Sequence, residues 1–154
     1  MTSSERGGQT PATAGRSFRL GPLRRLRDRA MAALLRRGMG PPGIWLLTVP
    51  GRRSGRPYST PVSPVEHAGA RWLVAPYGEV AWVRNVRAAG RVTLTRGSSE
   101  DLATVEVGPQ DAAPVLRAYV AANPMTKRHI GAGRDAPLER FAAAAPRRPV
   151  FRLG

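Results

Sequence analysis

The residues best suited to chemistry cluster between Gly51 and Arg91. The segment Gly51-Arg52-Arg53-Ser54-Gly55-Arg56-Pro57 sets three guanidinium groups and a hydroxyl in a turn bracketed by glycines. Glycines let a backbone turn tightly and aim N–H groups outward, the geometry that cradles anions. Each arginine can add a charge-assisted hydrogen bond of about 1.5–3 kcal/mol. A plain basic hairpin turn is the competing reading. The loop is not a Walker loop, for no Gly-Lys-Ser/Thr occurs, nor a dinucleotide fingerprint. A nucleophile elbow fails because Gly51 and Ser54 stand one position too far apart.

A second segment runs from Tyr77-Gly78-Glu79-Val80 through Ala81-Trp82-Val83-Arg84-Asn85-Val86-Arg87-Ala88-Ala89 to Gly90-Arg91. On a helix, Trp82, Asn85 and Ala89 project to one side and Arg84, Arg87 and Arg91 to the other. A buried amide beside an indole needs partners, since leaving it unsatisfied costs about 1–3 kcal/mol. A flat polar heterocycle could satisfy both residues. Alternatively Trp82 is core and Asn85 caps local backbone. Where a proton donor is needed, Tyr77 and His129 are the candidates by chemistry alone. His129 also reads as a solvated loop residue, and His67 as part of a hairpin turn.

The elements that must position these residues follow from pattern. Residues 1–17 are Gly-, Ser-, Thr- and Arg-rich with little to bury, and read as a disordered tail. Residues 18–40 read as a basic amphipathic helix, opened by Gly21-Pro22, with Leu23, Leu26, Ala30 and Leu34 on one face. Such a helix can lie on an anionic membrane or pack across a barrel mouth. After the breaker cluster Gly38–Gly43, residues 41–154 form the main domain. Strands are expected over Ile44–Val49, Tyr58–Val65, Arg71–Ala75, Val92–Thr95, Leu102–Val107 and Pro149–Leu153. A hairpin turn is expected at Glu66–Ala70 and a polar turn at Gly97–Glu100. Helices are expected over Ala81–Ala89, ended by Gly90, and over Pro109–Ala122 and Pro137–Ala144. About six antiparallel strands with interspersed helices define a small α+β barrel.

Composition narrows the partners. The chain has 154 residues, 42% of them hydrophobic, enough for one domain with its own core. The absence of cysteine removes disulfides, thiolate chemistry and iron–sulfur ligation. No His/Cys/carboxylate cluster has metal-ligand spacing, so no metal is expected. The net charge of +15 attracts polyanions, anionic membranes or phosphorylated cofactors. Because Lys127 is the only lysine, part of the arginine excess reads as coding bias. No run approaches the about 18 apolar residues of a membrane span, and Arg36-Arg37 end the stretch Ala30–Leu35 too early for an export signal, so a cytoplasmic place is expected.

The order Gly-Arg-Arg-Ser-Gly, strand pair, Tyr-Gly loop, Trp82-Val83-Arg84-Asn85, then Arg87-Ala88-Ala89-Gly90-Arg91 resembles the deazaflavin-dependent nitroreductase family, which includes quinone reductases. The resemblance spans about Ile44 to Leu153 and ends in Arg148-Pro149-Val150-Phe151-Arg152-Leu153. It implies a split β-barrel, flavin-reductase-like, binding coenzyme F-420 (8-hydroxy-5-deazaflavin), with FMN as the alternative. It implies that Arg52, Arg53, Ser54 and Gly55 hold the phosphodiester and polyglutamate tail. Trp82, Asn85 and Ala88 would lie by the ring and phosphate, with Tyr77 and Gly78 beneath the ring. The implied reaction is hydride transfer to a quinone or nitro-aromatic acceptor, the cofactor carrying the chemistry. The chain departs from better-known members: the loop before Trp82 is shorter, Tyr58 stands where some have arginine, and Gly90 where some have proline. Asn123–Ile130, where substrate-facing aromatics usually fall, has no tyrosine. A non-catalytic carrier of the coenzyme or of another apolar ligand, and a basic nucleic-acid-binding protein, are the rival functions. The oligomer is expected to be a monomer or homodimer, with residues 22–37 as the membrane contact.

Overall fold

A computed structural model describes residues 22–154; the expected tail at 1–17 and the first residues of the 18–40 helix lie outside the described residues. Seven strands make one antiparallel sheet: β1 (Trp45–Pro50), β2 (Pro57–Val62), β3 (Val65–His67), β4 (Ala70–Val74), β5 (Arg91–Arg96), β6 (Ser98–Glu106) and β7 (Val150–Leu153). Their order is β2-β1-β5-β6-β7-β4-β3. The long β6 pairs with β5 through Ser98–Ala103 and with β7 through Thr104–Glu106. One strand therefore serves two sheet halves, and the sheet curls into a split β-barrel.

The expected six strands become seven for a local reason. Ala68 and Gly69 both adopt left-handed φ, 50° and 74°, and β3 and β4 pair up to His67 and Ala70. Two left-handed residues close a hairpin by themselves. The turn expected over Glu66–Ala70 thus shrinks to Ala68-Gly69, and Val65–His67 becomes a strand. The turn expected over Gly97–Glu100 likewise contracts to Gly97 (φ 78°), with Ser98–Glu100 paired into β6.

Side-chain alternation splits the interior in two. On β4, Leu73 and the following Ala75 join Leu47, Val49, Val92, Leu94 and Phe151 inside the barrel. Trp72 and Val74 point the other way, onto α3 (Pro109–Ala122) and α4 (Leu138–Ala144) through Leu116, Tyr119 and Phe141. The helix α2 (Ala81–Ala89) plugs the barrel core with Trp82, Val83 and Val86. It ends where Gly90 turns left-handed at φ 68° and returns its N–H to Val86 O.

The first helix, α1 (Pro22–Arg36), opens on proline as expected. Leu23, Leu26 and Leu34 are 75%, 63% and 40% exposed, while Leu35 is fully buried. Its anchor is at the C-terminal end. Gly97 N–H donates to Leu35 O at 3.0 Å, and the Arg96 guanidinium donates to the carbonyls of Gly40, Pro41 and Ile44. Among the described residues, no helix is long and apolar enough to cross a membrane.

Candidate functional site

The loop between β1 and β2 is closed upon itself. Gly51 N–H donates to Arg56 O and Gly55 N–H to Gly51 O, both at 2.8 Å. Arg56 N–H donates to Ser54 Oγ at 3.2 Å. A Cβ on Gly51 would stand 3.0 Å from Ser54 Oγ and 3.3 Å from Arg56 O, so a side chain there would push these atoms aside by a few tenths of an ångström. Arg52, Arg53, Ser54 and Gly55 are all exposed.

Asn85, 4% exposed, is the link between this loop and α2. Its Oδ1 accepts from Arg52 N–H at 3.1 Å and from Arg52 Nη1 at 3.0 Å. The buried amide oxygen is therefore satisfied by a segment 33 positions away, where the sequence offered a heterocycle or local backbone as its partner. One turn earlier, Trp82 is 8% exposed and packs on Phe151 with ring centroids 6.1 Å apart. The side shared in expectation by Trp82, Asn85 and Ala89 is revised: Trp82 and Asn85 are buried, whereas Ala88 and Ala89 are exposed. At 100° per residue Ala88 falls outside the buried stripe, whereas Ala89 keeps the stripe's angle but is the last residue of the helix.

The Arg87 guanidinium is held by two carboxylates, Glu79 at 2.8 Å and Glu106 at 2.7 Å. These hydrogen bonds, chiefly that to Glu106, push its pKa upward. The hydrogen bond from Arg87 in turn draws the Glu79 carboxyl below its usual range. Arg84, on the same helix, is exposed.

A groove of about 500 Å³ runs along β2 and reaches across to α2 and α3; its lining starts at Tyr58 on β2 and takes no residue from the Gly51–Arg56 loop. Trp82 lines it from α2 and Val80 from the residue before that helix, Tyr58, Thr60 and Val62 from β2, and Tyr119, Asn123 and Thr126 from α3 and the turn after it. Tyr77, 66% exposed, stands at its rim. Gly78 is buried beneath at φ 87°, where a Cβ would come within 3.3 Å of Arg147 O. His129 does not line the groove. Its ring meets the edge of Tyr77 at 4.7 Å and 75°, and its carbonyl accepts from the Arg148 guanidinium. His67 ends β3 and lines a separate cleft of about 580 Å³ with Arg71 and Arg152.

Sequence reasoning missed Tyr119, Asn123 and Ser63. Tyr119 is 6% exposed, and burial, with the nearby Tyr77 phenol adding to it, pushes its pKa up to about 12. Asn123 Nδ2 and N–H both donate to Tyr119 O, and Ser63 Oγ donates to Asn123 Oδ1 at 3.3 Å. The available signal was the tyrosine count. The chain has three tyrosines, and Tyr58, Tyr77 and Tyr119 all face this one groove.

The curled sheet defines a fold class, and solved structures share it. One described as a domain-swapped dimer aligns with a TM-score of 0.58 at 21% identity, covering 86% of this chain and 96% of that one. An F420-H2 dependent reductase aligns at 0.53 and 23% identity over 73% of this chain and 95% of its own. A conserved hypothetical protein from Mycobacterium tuberculosis aligns at 0.52 and 18% identity, covering 80% and 77%. At such identities the likeness establishes the split-barrel fold alone. No curated protein matches the sequence. The sequence itself carries the further step: residues 24–139 match the family described as F420H(2)-dependent quinone reductase, and the chain belongs to it. It is thus an oxidoreductase that depends on this deazaflavin. The readings as a carrier without turnover, as a nucleic-acid binder, and with FMN as coenzyme find no support in that membership.

Proposed function

We propose that the chain reduces a quinone-type acceptor in the Tyr58–Trp82–Tyr119 groove, using the deazaflavin held between that groove and the Arg52 loop. Arg53, Ser54 and Gly55 bind the anionic phosphodiester and tail beside Arg52. Asn85 positions Arg52, Ala88 leaves room along the exposed face of α2, and Trp82 forms the floor. Tyr77 and Gly78 shape the wall beneath the ring. A nitro-aromatic acceptor fits the same flat, apolar walls.

The observation that carries this reading is the Asn85–Arg52 pair. It fastens the cationic loop to the helix whose Trp82 floors the groove, so one elongated ligand can span both. The residues also suit the coenzyme chemically. The groove falls within the roughly 300–1,000 Å³ typical of ligand sites, and the loop presents exposed guanidinium groups where an anionic tail would leave it. When bound, the reduced coenzyme supplies a hydride; the protein orients, excludes water and handles protons.

Fluorescence titration with the deazaflavin, beside FMN on the same preparation, tests the reading. Replacing Arg52 and Arg53 together with alanine weakens deazaflavin affinity by about tenfold or more through lost charge-assisted bonds. Unchanged affinity removes the loop from the site.

A second feature bears on where the acceptor is met. The exposed Leu23, Leu26 and Leu34 share α1 with Arg24, Arg25, Arg27 and Arg29, and Arg24 also lines the groove. Apolar stripe and basic flanks suit an anionic lipid surface. On this reading α1 rests there and opens the groove toward a lipid-dissolved acceptor.

A further inference from the structure

The groove's lining residues, as described, include no carboxylate and no histidine. Its acidic protons are therefore those of three phenols, Tyr58, Tyr77 and Tyr119. They are not equivalent. Tyr58 is 40% exposed and Tyr77 66% exposed, whereas Tyr119 is 6% exposed. A donor that must act on a desolvated acceptor has to be enclosed with it, because water would otherwise compete for the same oxygen.

Tyr119 is also held in place. Its carbonyl takes two hydrogen bonds from Asn123, whose own Oδ1 is engaged by Ser63, so the last turn of α3 is tied to the connection between β2 and β3. Its hydroxyl, by contrast, forms no hydrogen bond among the described residues and is free for a ligand. Burial keeps the phenol protonated well above neutral pH, its pKa pushed up to about 12. The exposed Tyr77 lines the same groove and is near enough to influence that value. The charged group that lines the groove beside them is Arg24.

We propose that Tyr119 is the catalytic proton donor of the groove, giving its Oη–H to the acceptor oxygen on which negative charge develops. This rests on the groove being the acceptor site. A quinone becomes a hydroquinone by gaining one hydride, which brings two electrons and one hydrogen, and one proton. For that proton the Tyr119 O–H bond breaks, an O–H bond forms on the acceptor, and the phenolate is reprotonated by water from the Tyr77 side. Neither Tyr77 nor His129 is the donor: Tyr77 is open to solvent, and His129 stands behind it outside the groove.

The test is Tyr119→Phe, which keeps the ring and removes the hydroxyl. In coenzyme-free protein, menadione binding is followed by quenching of tryptophan fluorescence, and the variant binds about three- to tenfold more weakly for one lost hydrogen bond. With reduced deazaflavin and saturating menadione, kcat falls about a hundredfold, the usual range for loss of a general acid, while deazaflavin affinity is unchanged. An added small general acid, such as imidazolium, restores part of kcat in the variant and none in the parent, which a purely structural role would not produce. Absorbance titration of the parent shows a phenol that ionises near pH 12, and that step is absent from the variant. Unchanged menadione affinity and kcat overturn the donor role while leaving the groove reading intact. A fall in deazaflavin affinity matching the fall in kcat also overturns it, making Tyr119 a coenzyme contact. If menadione quenches nothing and the Arg52→Ala/Arg53→Ala protein binds deazaflavin normally, the groove reading fails and the donor role with it.

Discussion

Helices α1 and α2 carry the same kind of sequence, a stripe of apolar residues beside arginines, and the fold uses them oppositely. In α2 the stripe is the part that disappears: Trp82, Val83 and Val86 enter the barrel core, and Arg87 is neutralised by Glu79 and Glu106. In α1 the stripe of Leu23, Leu26 and Leu34 stays outside, and the helix is held through Leu35 at one end. Amphipathicity therefore locates a face without saying what covers it. Apolar area is stabilising only where something excludes water from it. For α2 that something is the sheet; for α1 it is not supplied by the described residues.

Substitutions along the two helices sharpen this contrast. Trp82→Ala empties the centre of the barrel and costs about 3–5 kcal/mol, read from urea unfolding. A loss below about 1 kcal/mol would mean that Trp82 is not the core residue it is taken to be. Asn85→Ala leaves the Arg52 backbone N–H and guanidinium without their acceptor and costs about 1–3 kcal/mol. Because it releases the loop, it also weakens deazaflavin affinity; a stable variant with parental affinity would break the link between loop and groove. Leu23→Ser with Leu26→Ser changes stability by only about 0.5 kcal/mol or less, as exposed sites do. The same pair lowers co-sedimentation with anionic vesicles, and full retention there would leave the stripe without a lipid role.

The parts of the fold legible in the sequence were those set by neighbours in the chain. Pro22, Gly90 and Pro109 punctuate helices as written, because a fixed φ or a missing Cβ acts within a few residues. The Gly51–Gly55 loop is closed by its own hydrogen bonds, so its tightness could be read locally. The expected count of about six strands rises to seven at Ala68-Gly69, since left-handed φ at an alanine is not signalled by its type. In α1 the period marked Leu23, Leu26 and Leu34 as one face but gave no hint that Leu35 would be the buried anchor.

The sequence by itself determined the family, the basic loop and the order of the elements, all of which are local patterns in a fixed order. Only the tertiary structure decided that Asn85 would satisfy its amide on Arg52 and that Arg87 would be spent on two carboxylates. It alone brought Tyr58, Tyr77 and Tyr119 to one groove from three separate elements. The reason is physical: burial and hydrogen-bond pairing depend on what the curled sheet sets side by side, and that adjacency is a property of the closed barrel.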